Sequence, residues 1–126
     1  MKSGQKSAMA LATAVALSAF AGTGSSAQSL PPTYFIVDFS EITDPEGFKA
    51  LAAKATPEIL AGFGGKYMVR SQNITAVEGV APKRFVIIAF DTPEHAQAWA
   101  EQLDTRAIRA KTAKSRSFLV QGLGQP

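Results

Sequence analysis

Asp38, Tyr67, Arg70 and Glu78 are the residues of this chain whose types and spacing best suit the handling of a small molecule. Asp38 shares strand parity with Tyr34 and Ile36 in a segment expected near the centre of a sheet, which makes it the catalytic candidate, as a general base. The plainer alternative is an aspartate at a strand end that faces water or pairs with a base. Arg70 closes the run Tyr67-Met68-Val69-Arg70 and carries the planar fork that grips a carboxylate through two parallel hydrogen bonds. Glu78, just past the following turn, is its alternative partner in a structural ion pair. Tyr67 offers its hydroxyl to a ligand or, as a core aromatic, to the fold.

Other chemistries are excluded by composition. The chain has no cysteine and one histidine, His95, so thiol catalysis, thiolate metal sites and histidine clusters are all ruled out. One imidazole suffices as an axial haem ligand. His95, however, falls in the first turn after Thr92-Pro93, where an exposed polar side chain is ordinary, and no cofactor is expected. No Gly-x-Ser-x-Gly elbow is present. Gly64-Gly65 ends a helix instead of opening one, which is not how phosphate cradles are built.

The elements that must hold these residues follow from pattern. Lys2 and Lys6, then an uncharged stretch from Ala8 to Ala21, then Ser25-Ser26-Ala27, follow the order of a secretory signal peptide over residues 1–27. Cleavage is expected after Ala27, with Ala21 as the alternative. The product is then periplasmic or secreted, without a stable membrane span. Of 126 residues 99 remain, enough for one small domain over 34–122, between a flexible lead-in (28–33) and a short tail (123–126). Without Lys2 and Lys6 the balance is 11 basic to 10 acidic residues, a poor match to a nucleic-acid partner. Arg106, Arg109, Lys111, Lys114 and Arg116 form a local exception. They read either as a solvated helix face favouring its C-terminal end or as a site for an anionic ligand or lipid headgroup.

Tyr34–Phe39 is dense in aromatic and β-branched residues and reads as a strand. Thr43-Asp44-Pro45-Glu46 has the form of a capping box with proline in the first turn. Phe48, Leu51, Ala52, Ala55, Ile59 and Phe63 recur at helical spacing as one buried stripe, kinked or restarted at Pro57. Lys66–Ser71 is a second strand, with Ile74–Glu78 as an extension of its hairpin. Phe85–Phe90 is a third. Thr92-Pro93 caps a helix with Ala96, Trp99, Ala100 and Leu103 inward. A basic helical stretch from Thr105 to about Lys114 precedes a last strand at Phe118–Val120. The order βαββαβ predicts a ferredoxin-like α+β sandwich, an antiparallel sheet with its helices on one face. The third strand is apolar on both faces, yet two helices cover only one. The other face requires a partner, and a second copy of the chain through a two-fold axis is the economical one.

Tyr34–Val37, Asp44-Pro45-Glu46, Phe63-Gly64-Gly65-Lys66-Tyr67-Met68-Val69-Arg70, Glu78-Gly79 and Lys114–Gly122 together resemble domain-of-unknown-function family 1330 over almost all of the chain after the signal. The resemblance implies a ferredoxin-like fold paired as a dimeric α+β barrel and brings no activity with it. Between Trp99 and Arg109 the chain departs from the family pattern, with Gln102-Leu103-Asp104-Thr105 in place of a Ser-Pro-x-Tyr-like stretch. Three functions then compete. The first is an exported homodimer binding a small apolar or aromatic organic molecule. The second is a cofactor-free oxygenase or isomerase, which would need Asp38, Tyr67, Arg70 or His95 to converge. The third is a structural or stress-associated interaction module with no ligand site.

Overall fold

In the computed structural model, residues 30–124 are described; the signal expected over 1–27 lies outside them. The elements run β1 (Thr33–Ile42), α1 (Pro45–Lys54), α2 (Pro57–Gly62), β2 (Gly65–Ser71), β3 (Arg84–Phe90), α3 (Pro93–Ala100), α4 (Leu103–Thr112) and β4 (Ala113–Gln121). The strands form one sheet in the order β2-β3-β1-β4, with every neighbouring pair antiparallel. This is the ferredoxin-like α+β arrangement predicted from the element order, each helical layer being split into two short helices.

One sheet face is buried beneath the helices. Thr33, Phe35, Val37 and Phe39 from β1, with Ile88 and Phe90 from β3, point into this core, where Leu60, Ala96 and Trp99 meet them. Phe63 packs edge-on against Trp99 with ring centres 5.2 Å apart.

The start of α1 is shifted by one residue from the expected box. Asp44, not Thr43, is the N-cap, and its side chain accepts the Gly47 N–H at 3.1 Å. The Thr43 and Asp44 backbone N–H groups are taken up by the Thr112 carbonyl at the end of α4. Pro57 restarts the helix instead of kinking it, because Thr56 accepts the Ile59 N–H and caps a new one. That restart resets the helical phase. Leu60 therefore turns fully inward, while Ile59, placed in the buried stripe by uninterrupted spacing, is exposed.

Three further expectations are corrected. Ile74–Glu78 forms no strand and belongs to the loop between β2 and β3. Leu103 is 75% exposed and opens α4 instead of closing the inner face of α3. β4 starts at Ala113, five residues earlier than its apolar core suggested, since Lys114, Ser115 and Arg116 pair with Glu41, Phe39 and Asp38 of β1 across a bulge at Ser40.

Candidate functional site

α1 lies against α4, with none of its own residues fully buried, and Phe48 packs edge-on against Phe39 of β1 with ring centres 5.2 Å apart. Phe48, Leu51 and the following Ala55 pack against the core and, with Ala52, also border a cavity of about 260 Å³. The floor is the sheet, through Phe35, Val37 and Phe39 of β1 and Val86 and Ile88 of β3. Trp99 closes the α3 side and Tyr67 the β2 side. Cavities that hold organic ligands run from about 300 Å³ upward and are mostly apolar with a few placed polar groups. This one suits a small guest.

Tyr67, Ser71 and Gln72 add polar groups, and the charge comes from three arginines. Arg70 of β2, Arg84 of β3 and Arg109 of α4 line the cavity, and no aspartate or glutamate does. Each guanidinium lies over an aromatic ring: Arg70 at 4.7 Å from the centre of Tyr67, Arg84 at 5.3 Å from Phe48, and Arg109 at 5.5 Å from Phe35. Such stacking fixes the head of a long cation without using its N–H donors. Burial pushes the half-buried Arg109 below its ordinary value, and the neighbouring Arg106 acts the same way.

Tyr67 and Arg70 meet through a bulge. They are three residues apart, and regular alternation would put them on opposite faces of β2. Tyr67 pairs with Ile88 and Val69 with Ile87, so Met68 is left without a partner. This extra residue returns Arg70, opposite Val86, to the face of Tyr67. The Tyr67 hydroxyl donates to the Ala55 carbonyl at 2.6 Å, and burial raises its pKa above the ordinary value, opposed by Arg70.

The other sequence candidates lie elsewhere. Asp38 is on the opposite face of the sheet, where its carboxylate accepts a 2.8 Å charge-assisted bond from Arg116. Glu78 is exposed in the β2–β3 loop and makes no ion pair with Arg70 among the described residues. His95 does not line the cavity; its Nδ1 lies 2.6 Å from Asp91 Oδ1, beside Gly64. Asp38, His95 and the Tyr67–Arg70 pair thus occupy three separate places in the chain. Among the described residues no group of histidines and carboxylates could hold a metal ion, and no helix is long and apolar enough to cross a membrane.

Sequence reasoning missed Arg84, whose one signal is a cation at the head of an otherwise apolar strand. It also grouped Arg109 with the solvated cations of its helix. The absence of any acid after Asp104 hinted at an anion site, but not which cation turns inward.

The sheet face away from the helices carries a second pattern. Val69, Ile87, Ile36 and Phe118 stand in register across all four strands, flanked by Tyr34, Phe85, Ala89 and Val120. Phe118 and Val120 of the edge strand are exposed.

Comparison with known proteins agrees with this geometry. The family model of the domain of unknown function DUF1330 matches residues 32–123. A solved crystal structure of a protein of unknown function from Rhodopseudomonas palustris superposes with a TM-score of 0.58 at 14% identity, covering 87% of this chain and 95% of that one. At that identity the likeness is one of fold. No curated protein matches.

Proposed function

This chain belongs to the family of the domain of unknown function DUF1330, and from that premise we propose that it is an exported homodimer binding a small apolar or aromatic organic molecule. The guest occupies the cavity between the sheet and α1. The observation that carries this reading is the cavity of about 260 Å³ itself, bordered by apolar side chains of α1 and of the sheet. Tyr67 and Arg70 are the ligand-facing candidates from β2.

Pairing is supported by the apolar row Val69-Ile87-Ile36-Phe118, on the sheet side away from the cavity. A second copy laid on that row gives each sheet a dry second face. Asp38 and Arg116 then belong to the pairing surface and not to the ligand site. Export rests on the basic, apolar and small-residue order of residues 1–27.

The test is native mass spectrometry of protein taken from its own cells, with thermal shift against a panel of small aromatic and aliphatic compounds. A retained small molecule, or stabilisation by a panel member that is lost on filling the cavity with Ala52→Phe, is the expected result. Protein that emerges empty and is shifted by no compound would overturn the reading in favour of an interaction module without a ligand.

A further inference from the structure

The geometry points to an organic carboxylate as the occupant of this cavity, with its apolar body between the sheet and α1 and its charged end held by Arg109. The inference rests on the cavity-binding reading above and adds the charge of the ligand and the residue that reads it. Half-buried cations are ordinarily matched by an acid of the same protein, because an unpaired charge removed from water is costly. None of the ten acids of this chain lines the cavity, and five of them are paired elsewhere. Asp38 pairs with Arg116, Glu41 with Lys114, Glu46 with Lys49, Asp91 with His95 and Asp104 with Lys54. Among the described residues none of these pairs or side-chain hydrogen bonds involves Arg70, Arg84 or Arg109. The cavity therefore presents three positive groups and no negative one.

Position divides their roles. Arg70 and Arg84 are exposed and stand two ladder steps apart on adjacent strands, at the open side of the cavity. They draw an anion toward the opening. Arg109 reaches in from α4 over Phe35, a floor residue, and is half-buried. There water competes less for its donors, and a planar carboxylate matches the guanidinium fork. Apart from Ser71 and Gln72 beside Arg70, the rest of the lining is aliphatic or aromatic, which favours a guest with an apolar body over a small inorganic anion. Phosphate recognition through main-chain donors has no counterpart here, since the lining is the side-chain face of a sheet and the flanks of helices.

Trp99 is the only tryptophan and lines the cavity, so its emission reports occupancy directly. The full chain is titrated with matched pairs of anion and neutral isostere: benzoate against benzyl alcohol, phenylacetate against phenethyl alcohol, octanoate against octanol. The expected result is that at least one acid binds on the order of tenfold or more tighter than its alcohol, with the preference shrinking as salt is raised. Arg109→Gln removes that preference, and Arg109→Lys retains part of it. Equal binding of acid and alcohol would overturn the charge assignment while leaving the cavity reading intact. An acid preference unaltered in Arg109→Gln would overturn the role given to Arg109. If no pair changes the Trp99 signal or the melting temperature, the cavity reading fails and takes this inference with it. Should Arg109→Gln not fold, Arg109→Lys carries the same test, and an acid preference that it leaves unaltered would overturn the role given to Arg109.

Discussion

The hydroxyl of Tyr67 donates to the carbonyl of Ala55 at 2.6 Å, joining β2 to the break between α1 and α2. Ala55 is the C-cap of α1, and the last carbonyls of a helix have no partner within it. The bond ties the far end of α1, where Ala55 is buried in the core, to the edge strand of the sheet.

Tyr67→Phe should therefore destabilise the protein by about 1 kcal/mol, the usual net value of a hydrogen bond whose partner is then left wanting. For a domain of this size the melting temperature should drop by roughly 4–8 °C. Circular dichroism during heating and urea titration measures it; an unchanged midpoint would show that Ala55 finds another donor.

The same residue gives a pH dependence with a defined sign. Burial raises the Tyr67 pKa above its ordinary 10.0, so the folded state keeps the phenolic proton after the unfolded state has begun to lose it. The contribution is fully present below about pH 10 and is lost as pH rises from there through the folded-state value. Phenolate absorption of a Tyr34→Phe background, which isolates Tyr67, should titrate later in the folded than in the urea-unfolded protein.

Gly64 has φ +76, and a Cβ there would stand 2.6 Å from Asp91 Oδ1 and 2.7 Å from His95 Nδ1. Gly64→Ala should cost about 1–2 kcal/mol from the left-handed backbone alone and should also push the Asp91–His95 pair apart. Histidine ring resonances followed by NMR report the second effect separately from the loss of melting temperature. In the native protein the hydrogen bond from His95 holds the Asp91 carboxyl below its ordinary value. That support is present above the unfolded carboxyl's titration and fades as pH falls through the lowered folded-state value.

Ile87 lies in the middle of the apolar row, with Ile36 on one side and Val69 on the other. Ile87→Lys places a charge where the proposed partner sheet would lie. Analytical ultracentrifugation should show wild type as a dimer and the variant as a folded monomer, with Tyr67 and Arg70 undisturbed on the other face. A wild type that sediments as one copy at micromolar concentration would refute the pairing.

Much of the fold was legible because apolar periodicity records which faces are dry. Phe35, Val37 and Phe39 alternate with Tyr34, Ile36 and Asp38, and β3 is apolar on both sides, so the sheet and its need for cover could be read directly. Thr92-Pro93 marked the start of α3, and Thr92 does accept the His95 N–H. Phase was harder to read. One restart at Thr56-Pro57 exchanged Ile59 for Leu60 in the core, because helical spacing assumes an unbroken helix.

The site was legible only in fragments. Tyr67 and Arg70 were picked out for their functional groups, yet nothing in Tyr67-Met68-Val69-Arg70 announces that its alternation fails at Met68. Asp38 was placed on its correct strand parity, but parity alone does not say which face the helices cover. Arg84 and Arg109 line the cavity only because the fold brings β3 and α4 beside β2 and α1. Such long-range dependence leaves no local trace.

The unpaired Met68 is a spare residue in the ladder, since Tyr67 opposes Ile88, Val69 opposes Ile87 and Arg70 opposes Val86 on either side of it. Deleting it would leave those three pairings in place as regular alternation, so Arg70 would keep its side of the sheet. Ironing the bulge flat with Met68 retained would do the opposite, sliding Arg70 opposite Phe85 and turning it out to the side of Ile87. What guards the cation's position is thus the kink and not the count of residues.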